Sequence, residues 1–195
     1  TKYTASVGHT KGMTQCDGFG ISQCLELGGA LYNPDVAVED HIAALDHIIR
    51  SDDYSNDDKS LLTSLVLDLN YQMIDSKGQS FDGNYTGLGL AFNAWEAGAN
   101  YYVLINQEEY DSIKEKGLIS YNVPMFFGQG GAYTEGTPVS NLDDIMEMGK
   151  AFGDVIVADS LEDLSQQLGM DIALNDVHGQ TEGKIYCIKG AAYVY

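Results

Sequence analysis

The sequence predicts an α+β domain, a small mixed sheet with flanking helices. Three observations carry that expectation. Hydrophobic residues make up 44% of the 195 positions, more than a chain without a packed core holds. Between Tyr71 and Asn106, apolar runs of strand character alternate with a tight turn and a Gly-rich loop. Segments of helical period, several opened by capping residues, lie on either side.

Taken in order, residues 1–15 carry Gly8, Gly12 and several Thr and Ser residues and read as loop. Cys16-Asp-Gly18 leads into a helix over Ile21–Leu27, closed by Gly28 and Gly29, where a left-handed backbone costs least. Asn33-Pro34 opens a second expected helix, with Val38, Ile42, Leu45 and Ile49 on one face. Residues 51–59 read as a polar, Asp-rich loop. Period alone does not decide between strand and helix for residues 61–69.

Tyr71-Gln-Met-Ile-Asp75 and Gln79-Ser-Phe81 flank Ser76-Lys-Gly78, a hairpin signal because Gly supplies the positive φ of a tight turn. A Gly-rich segment from Asp82 to Gly89 leads to a helix at Leu90–Trp95 and a strand at Asn100–Asn106. In that strand Tyr102 and Leu104 point one way and Tyr101, Val103 and Ile105 the other, so both faces are buried. Asn106 with Glu109 forms a capping box for a helix running to Lys116-Gly117. Residues 118–140 form a long aromatic, Gly-rich connection. Asn141 caps a helix through Leu142, Ile145 and Met148, and Asp154–Ala158 is a short strand. Ser160-Leu-Glu-Asp163 is a second capping box, and Leu161, Leu164 and Leu168 form the buried stripe of the helix that Gly169 ends. Residues 184–195 are a last strand.

Net charge is −19, with 10 basic residues. That balance excludes phosphate-backbone binding, which needs clustered Lys and Arg, and so no nucleic-acid partner is expected. It also opposes docking on an anionic membrane. No apolar run approaches the roughly 18–20 residues that span a bilayer, and no membrane insertion is expected. The first residue is not Met, and the chain ends on the apolar run Tyr193-Val-Tyr195, so it reads as a piece of something longer. Cys16, Cys24 and Cys187 form no CxxC pair and read as free thiols.

The loop Asp52–Asp58 invites calcium, but counting from Asp52 the sixth and twelfth positions hold Asp57 and Thr63, where an EF-hand wants Gly and Glu. The four His residues make no zinc set: His41 and His47 fall on different helix faces, and no HExxH occurs. No metal is expected. Neither a nucleophile elbow nor a P-loop is present, and no GxGxxG follows a strand. The residues alone thus give an acidic α+β domain without a self-contained catalytic constellation. A stand-alone acidic domain that binds a partner through Tyr121–Tyr133 stays open.

Four stretches in order resemble one family. They are Cys16-Asp-Gly-Phe-Gly-Ile-Ser-Gln-Cys-Leu-Glu-Leu-Gly-Gly-Ala30; the hairpin Met73-Ile-Asp-Ser-Lys-Gly-Gln-Ser-Phe81 with the strand Tyr101–Asn106; Val157-Ala-Asp-Ser-Leu-Glu-Asp-Leu-Ser-Gln-Gln-Leu-Gly-Met170; and Gly183-Lys-Ile-Tyr-Cys-Ile-Lys189. They resemble the fumarate reductase/succinate dehydrogenase flavoprotein superfamily, which includes soluble bacterial reductases of the cytoplasm or cell envelope. The resemblance implies the capping domain of an FAD-dependent reductase that reduces an activated C=C bond of a small molecule. It divides the chain into a strip of the FAD-binding domain (1–31), the capping domain (32–183) and a strand returning toward the FAD-binding domain (184–195). FAD and the flanking FAD-binding domain are the implied cofactor and partner, and the piece by itself is expected to be inactive.

Position by position, the resemblance implies that Asp17 and Gly18 belong to the family's Gly-Asp-Gly segment near FAD, with Cys16 in place of the first Gly. Thr63 and Ser64 fall on its Thr-Glu or Ser-Glu pair for a substrate carboxylate, so the Glu is missing. Asn84 to Leu88, including Thr86, falls on the substrate-binding segment that carries a proton-donating Arg, yet the one Arg of the chain is Arg50. Tyr85, or a residue outside this chain, then becomes the candidate proton donor, and His47 the nearest counterpart of the family's His-Pro-Thr. These departures point away from a simple dicarboxylate substrate, or to a degenerate, non-catalytic paralogue.

Overall fold

The computed structural model describes residues 19–30, 40–44, 51–67, 70–80, 100–119 and 133–194. Five strands are described: β1 (Asp40–Ala44), β2 (Gln72–Asp75), β3 (Asn100–Asn106), β4 (Val155–Ala158) and β5 (Ile185–Val194). The five described helices are α1 (Phe19–Glu26), α2 (Asn56–Leu67), α3 (Gln107–Lys116), α4 (Leu142–Phe152) and α5 (Leu161–Leu168).

β5 organises the sheet. One edge of it pairs with β3, from Asn106↔Ile185 to Asn100↔Ala191, and β3 pairs in turn with β2. Its other edge is shared end to end. β4 takes Ile185 to Ile188 and β1 takes Gly190 to Val194. The α+β class expected from the sequence is what the chain adopts, but every pairing among the described strands is antiparallel, so the sheet is not the mixed one expected. β1, β3 and β4 each run opposite to β5, and β2 runs opposite to β3.

Side-chain alternation gives each sheet face its own core. Tyr101, Val103 and Ile105 of β3, with Tyr186 and Ile188 of β5, face α2, α3 and α4. Leu104 of β3, with Ile185 and Cys187 of β5, faces Leu164 of α5 and Val177. Leu161, Leu168 and the half-buried Tyr102 pack against this second core. The double-sided burial expected of Asn100–Asn106 is thus what β3 shows.

Local chemistry sets the helix ends. The Glu109 N–H donates to Asn106 Oδ1 at 2.8 Å, and the Asn106 N–H donates to Glu109 Oε2 at 2.9 Å, completing the expected box. At α5, the Asp163 N–H donates to Ser160 Oγ, while the Asp163 carboxylate reaches one residue further back, to the N–H of Asp159. Gly169 (φ 67°) ends that helix in the left-handed region. Asn141 precedes α4 without capping it through its side chain, which instead bonds the Tyr133 hydroxyl. The turn after β2 forms as expected: Asp75 Oδ1 accepts from the N–H groups of Lys77 and Gln79, and Gly78 carries φ +76°.

Two further expectations are corrected. Residues 40–44 form a strand where the period around Ile42 suggested a helix from Asn33-Pro34; residues 33–39 and 45–49 of that segment lie outside the described residues. The ten-residue β5 extends past β4 and offers a free edge, and pairing there outweighs a weak helical period. The expected Asp-rich loop 51–59 gives way to helix from Asn56, so the ambiguous residues 61–67 are helical. Ser55-Asn-Asp-Asp58 is the start signal: the Asp58 N–H donates to Ser55 Oγ, and the Ser55 N–H to Asp58 Oδ2. The expected helix at Leu90–Trp95 and the aromatic stretch 121–132 lie outside the described residues.

Candidate functional site

Among the described helices α2 is the most deeply buried. All seven residues from Ser60 to Val66 are at most 2% exposed, and Leu61, Leu62, Leu65 and Val66 belong to the larger core. Thr63 and Ser64 interrupt this apolar stretch. Each is 1% exposed, and neither Thr63 Oγ1 nor Ser64 Oγ has a hydrogen-bond partner. A buried helical hydroxyl usually bonds the carbonyl one turn back, and these two do not. Each unpartnered hydroxyl costs about 1–3 kcal/mol. From Ser60 to Leu67 the helix carries no charged residue; Asp57, Asp58 and Lys59 all lie in its first turn.

A second cluster sits where the 176–183 segment meets the start of α3. Asn106 Nδ2 donates to the Val177 carbonyl at 3.1 Å, and His178 Nδ1 lies 2.5 Å from Glu109 Oε1. Gln180 Nε2 donates to Glu108 Oε2, and the Glu108 N–H returns a bond to Gln180 Oε1 at 3.4 Å. His178 has φ 49°, in the left-handed region. Tyr71, Asn106, Glu109 and His178 line a cavity of about 290 Å³ here. A neighbouring groove of about 700 Å³ is walled by Glu108, Asp111, Glu115 and Glu182 against one cation, Lys116.

Around α3 and α4, Tyr110 stacks on Tyr186 with ring centroids 3.6 Å apart. The Tyr110 hydroxyl donates to Asp143 Oδ1 at 2.7 Å, and Lys114 Nζ pairs with Asp143 Oδ2 at 2.6 Å. Burial first, then the Asp143 carboxylate, pushes the Tyr110 hydroxyl far above the ordinary tyrosine range. The Lys114 bond, then the Tyr110 bond, holds Asp143 below the usual carboxylate value. Burial raises the Cys187 thiol to about 12, so it stays protonated and inert at neutral pH.

Of the residues expected to act, Thr63 and Ser64 lie side by side in the core. Asp17, Gly18, His47, Asn84, Tyr85 and Thr86 lie outside the described residues. Sequence reasoning missed the Glu109–His178 pair, because the partners are 69 positions apart and the visible signal, the capping box, explains Glu109 alone. Among the described residues no group of three or more His, Cys, Asp or Glu side chains could hold a metal. No described helix is long and apolar enough to cross a membrane. The groove of about 700 Å³ beside α3 does not fit FAD, because its four carboxylates oppose a pyrophosphate.

No family model matches the chain, and no curated protein matches it. Among solved structures it is similar to the open conformation of a flavocytochrome c3 fumarate reductase, at 14% sequence identity and a TM-score of 0.43. The match covers 90% of this chain and 28% of that one, so this chain spans less than a third of that protein's length. The likeness is weak and carries no argument about chemistry.

Proposed function

We propose that this chain is the capping domain of an FAD-dependent reductase that reduces an activated C=C bond of a small molecule other than a simple dicarboxylate. The observation that carries the reading is the order of four sequence stretches, at 16–30, 73–106, 157–170 and 183–189. The division at residues 31 and 183 belongs to the same reading, with a flanking FAD-binding domain holding the flavin. FAD, where bound, supplies the hydride. The part of this chain is to cover the substrate, exclude water and offer groups that orient it. Thr63, Ser64, Asn84 and Thr86 are the residues assigned to orientation, Asp17 and Gly18 those assigned to the flavin side, and Tyr85 or His47 those assigned to the proton.

The test uses the full-length protein in which this chain occurs. Purified protein should carry a flavin absorption spectrum, and enoate acceptors should reoxidise the reduced flavin. A protein that binds no flavin and consumes no enoate overturns the reading. If it binds flavin and turns over acceptors, Tyr85→Phe should lower kcat more than it raises KM.

A further inference from the structure

We propose that Thr63 and Ser64 form a subsite for an uncharged, hydrogen-bonding group of the small-molecule acceptor, such as a phenol hydroxyl or a primary amide, in place of a second carboxylate. The proposal rests on the reading of the chain as a substrate-covering domain and adds the class of substrate. Two hydroxyls at 1% exposure stand one residue apart on a helix, and both lack a partner. Side chains of the same volume without the hydroxyl would fill those positions at no polar cost. The hydroxyls therefore represent unused hydrogen-bonding capacity of two donors and up to four acceptor lone pairs.

The surroundings decide the charge of what they take. Leu61, Leu62, Leu65 and Val66 flank the pair, and the helix holds no charged residue from Ser60 to Leu67. A carboxylate placed there would lose its hydration against neutral hydroxyls alone, which costs far more than two hydrogen bonds return. A phenol or amide meets no such penalty. It can both donate and accept, and so can each hydroxyl. At their present exposure the two groups are reached only after local opening around α2, so binding is coupled to a conformational change.

The experiment uses full-length protein, its Thr63→Val and Ser64→Ala variants, and two matched probe pairs: fumarate against fumaramate, and cinnamate against 4-hydroxycinnamate. Dissociation constants come from calorimetry and melting temperatures from thermal unfolding, so neither readout depends on turnover. The protein should bind fumaramate or 4-hydroxycinnamate at least about tenfold more tightly than its matched partner, the worth of one well-made hydrogen bond. Each variant should lose about that tenfold for the preferred probe, keep its affinity for cinnamate, and melt no lower than the parent, since an unpartnered buried hydroxyl has been removed. A residue with a merely structural hydroxyl would show the reverse, a lower melting temperature with the preference intact. Equal affinity within both pairs, no binding of any of the four, or an unchanged preference in both variants overturns the proposal. Failure of the reductase reading shows separately, as full-length protein without flavin.

Discussion

Tyr101 shows how single residues join the elements. It is fully buried, and its hydroxyl donates to the Val66 carbonyl near the end of α2 at 2.6 Å, tying β3 to that helix. Across the sheet it faces Gly190, where a Cβ would stand 2.6 Å from the ring. The missing side chain on β5 makes room for the ring on β3. Tyr101→Phe leaves the Val66 carbonyl buried without this donor and should cost about 1–3 kcal/mol in urea unfolding. Asp143 gives a pH signature. Its folded value is depressed, so its contribution is present above the unfolded value of about 4 and is lost as pH falls through the lower folded value. Asp143→Asn should therefore destabilise at neutral pH, with the gap to the parent closing in acid. The side chain is 60% exposed, so added salt should shrink the gap. An equal gap at every pH would mean that charge is not the cause.

At the scale of elements, the ends of helices were legible and the partners of strands were not. Asn106 with Glu109, Ser160 with Asp163, and Gly169 are local signals, because each satisfies backbone groups within one turn. Ser55 with Asp58 is a signal of the same kind hidden by its acidic surroundings, which read as solvated loop. Ser55→Ala should cost about 1 kcal/mol and fray the start of α2, seen as faster exchange of the Asp58 and Lys59 amides, which Ser55 holds, with the rest unchanged. The strand at 40–44 had no local signal, since what makes it a strand is the free edge of β5, some 150 positions away. The candidate site divides in the same way. Thr63 and Ser64 were reached through resemblance to a motif, but that their hydroxyls are buried and unpartnered is a property of the packing around α2. The Glu109–His178 contact likewise exists only once the 176–183 segment folds back onto α3.

Across the whole molecule, β5 belongs to both cores. Tyr186 and Ile188 lie in one, Ile185 and Cys187 in the other, and the strand cannot leave either without breaking both. The described helices on the two faces of the sheet should therefore unfold together. Ile188→Ala removes packing beneath α2 to α4, and Leu164→Ala removes it beneath α5; both side chains are fully buried. Each should cost about 2–4 kcal/mol. Both variants should show a single thermal transition, detected alike by far-ultraviolet circular dichroism and by tyrosine fluorescence. Native-state hydrogen exchange should place the slowest amides of both variants in β3 and in the β5 residues paired with it, with all of them accelerated together. If Leu164→Ala instead melted α5 in a separate early transition and left β3 exchange at the parent rate, the second core would be a satellite on an independently stable sheet. The shared strand would then couple the two faces only weakly.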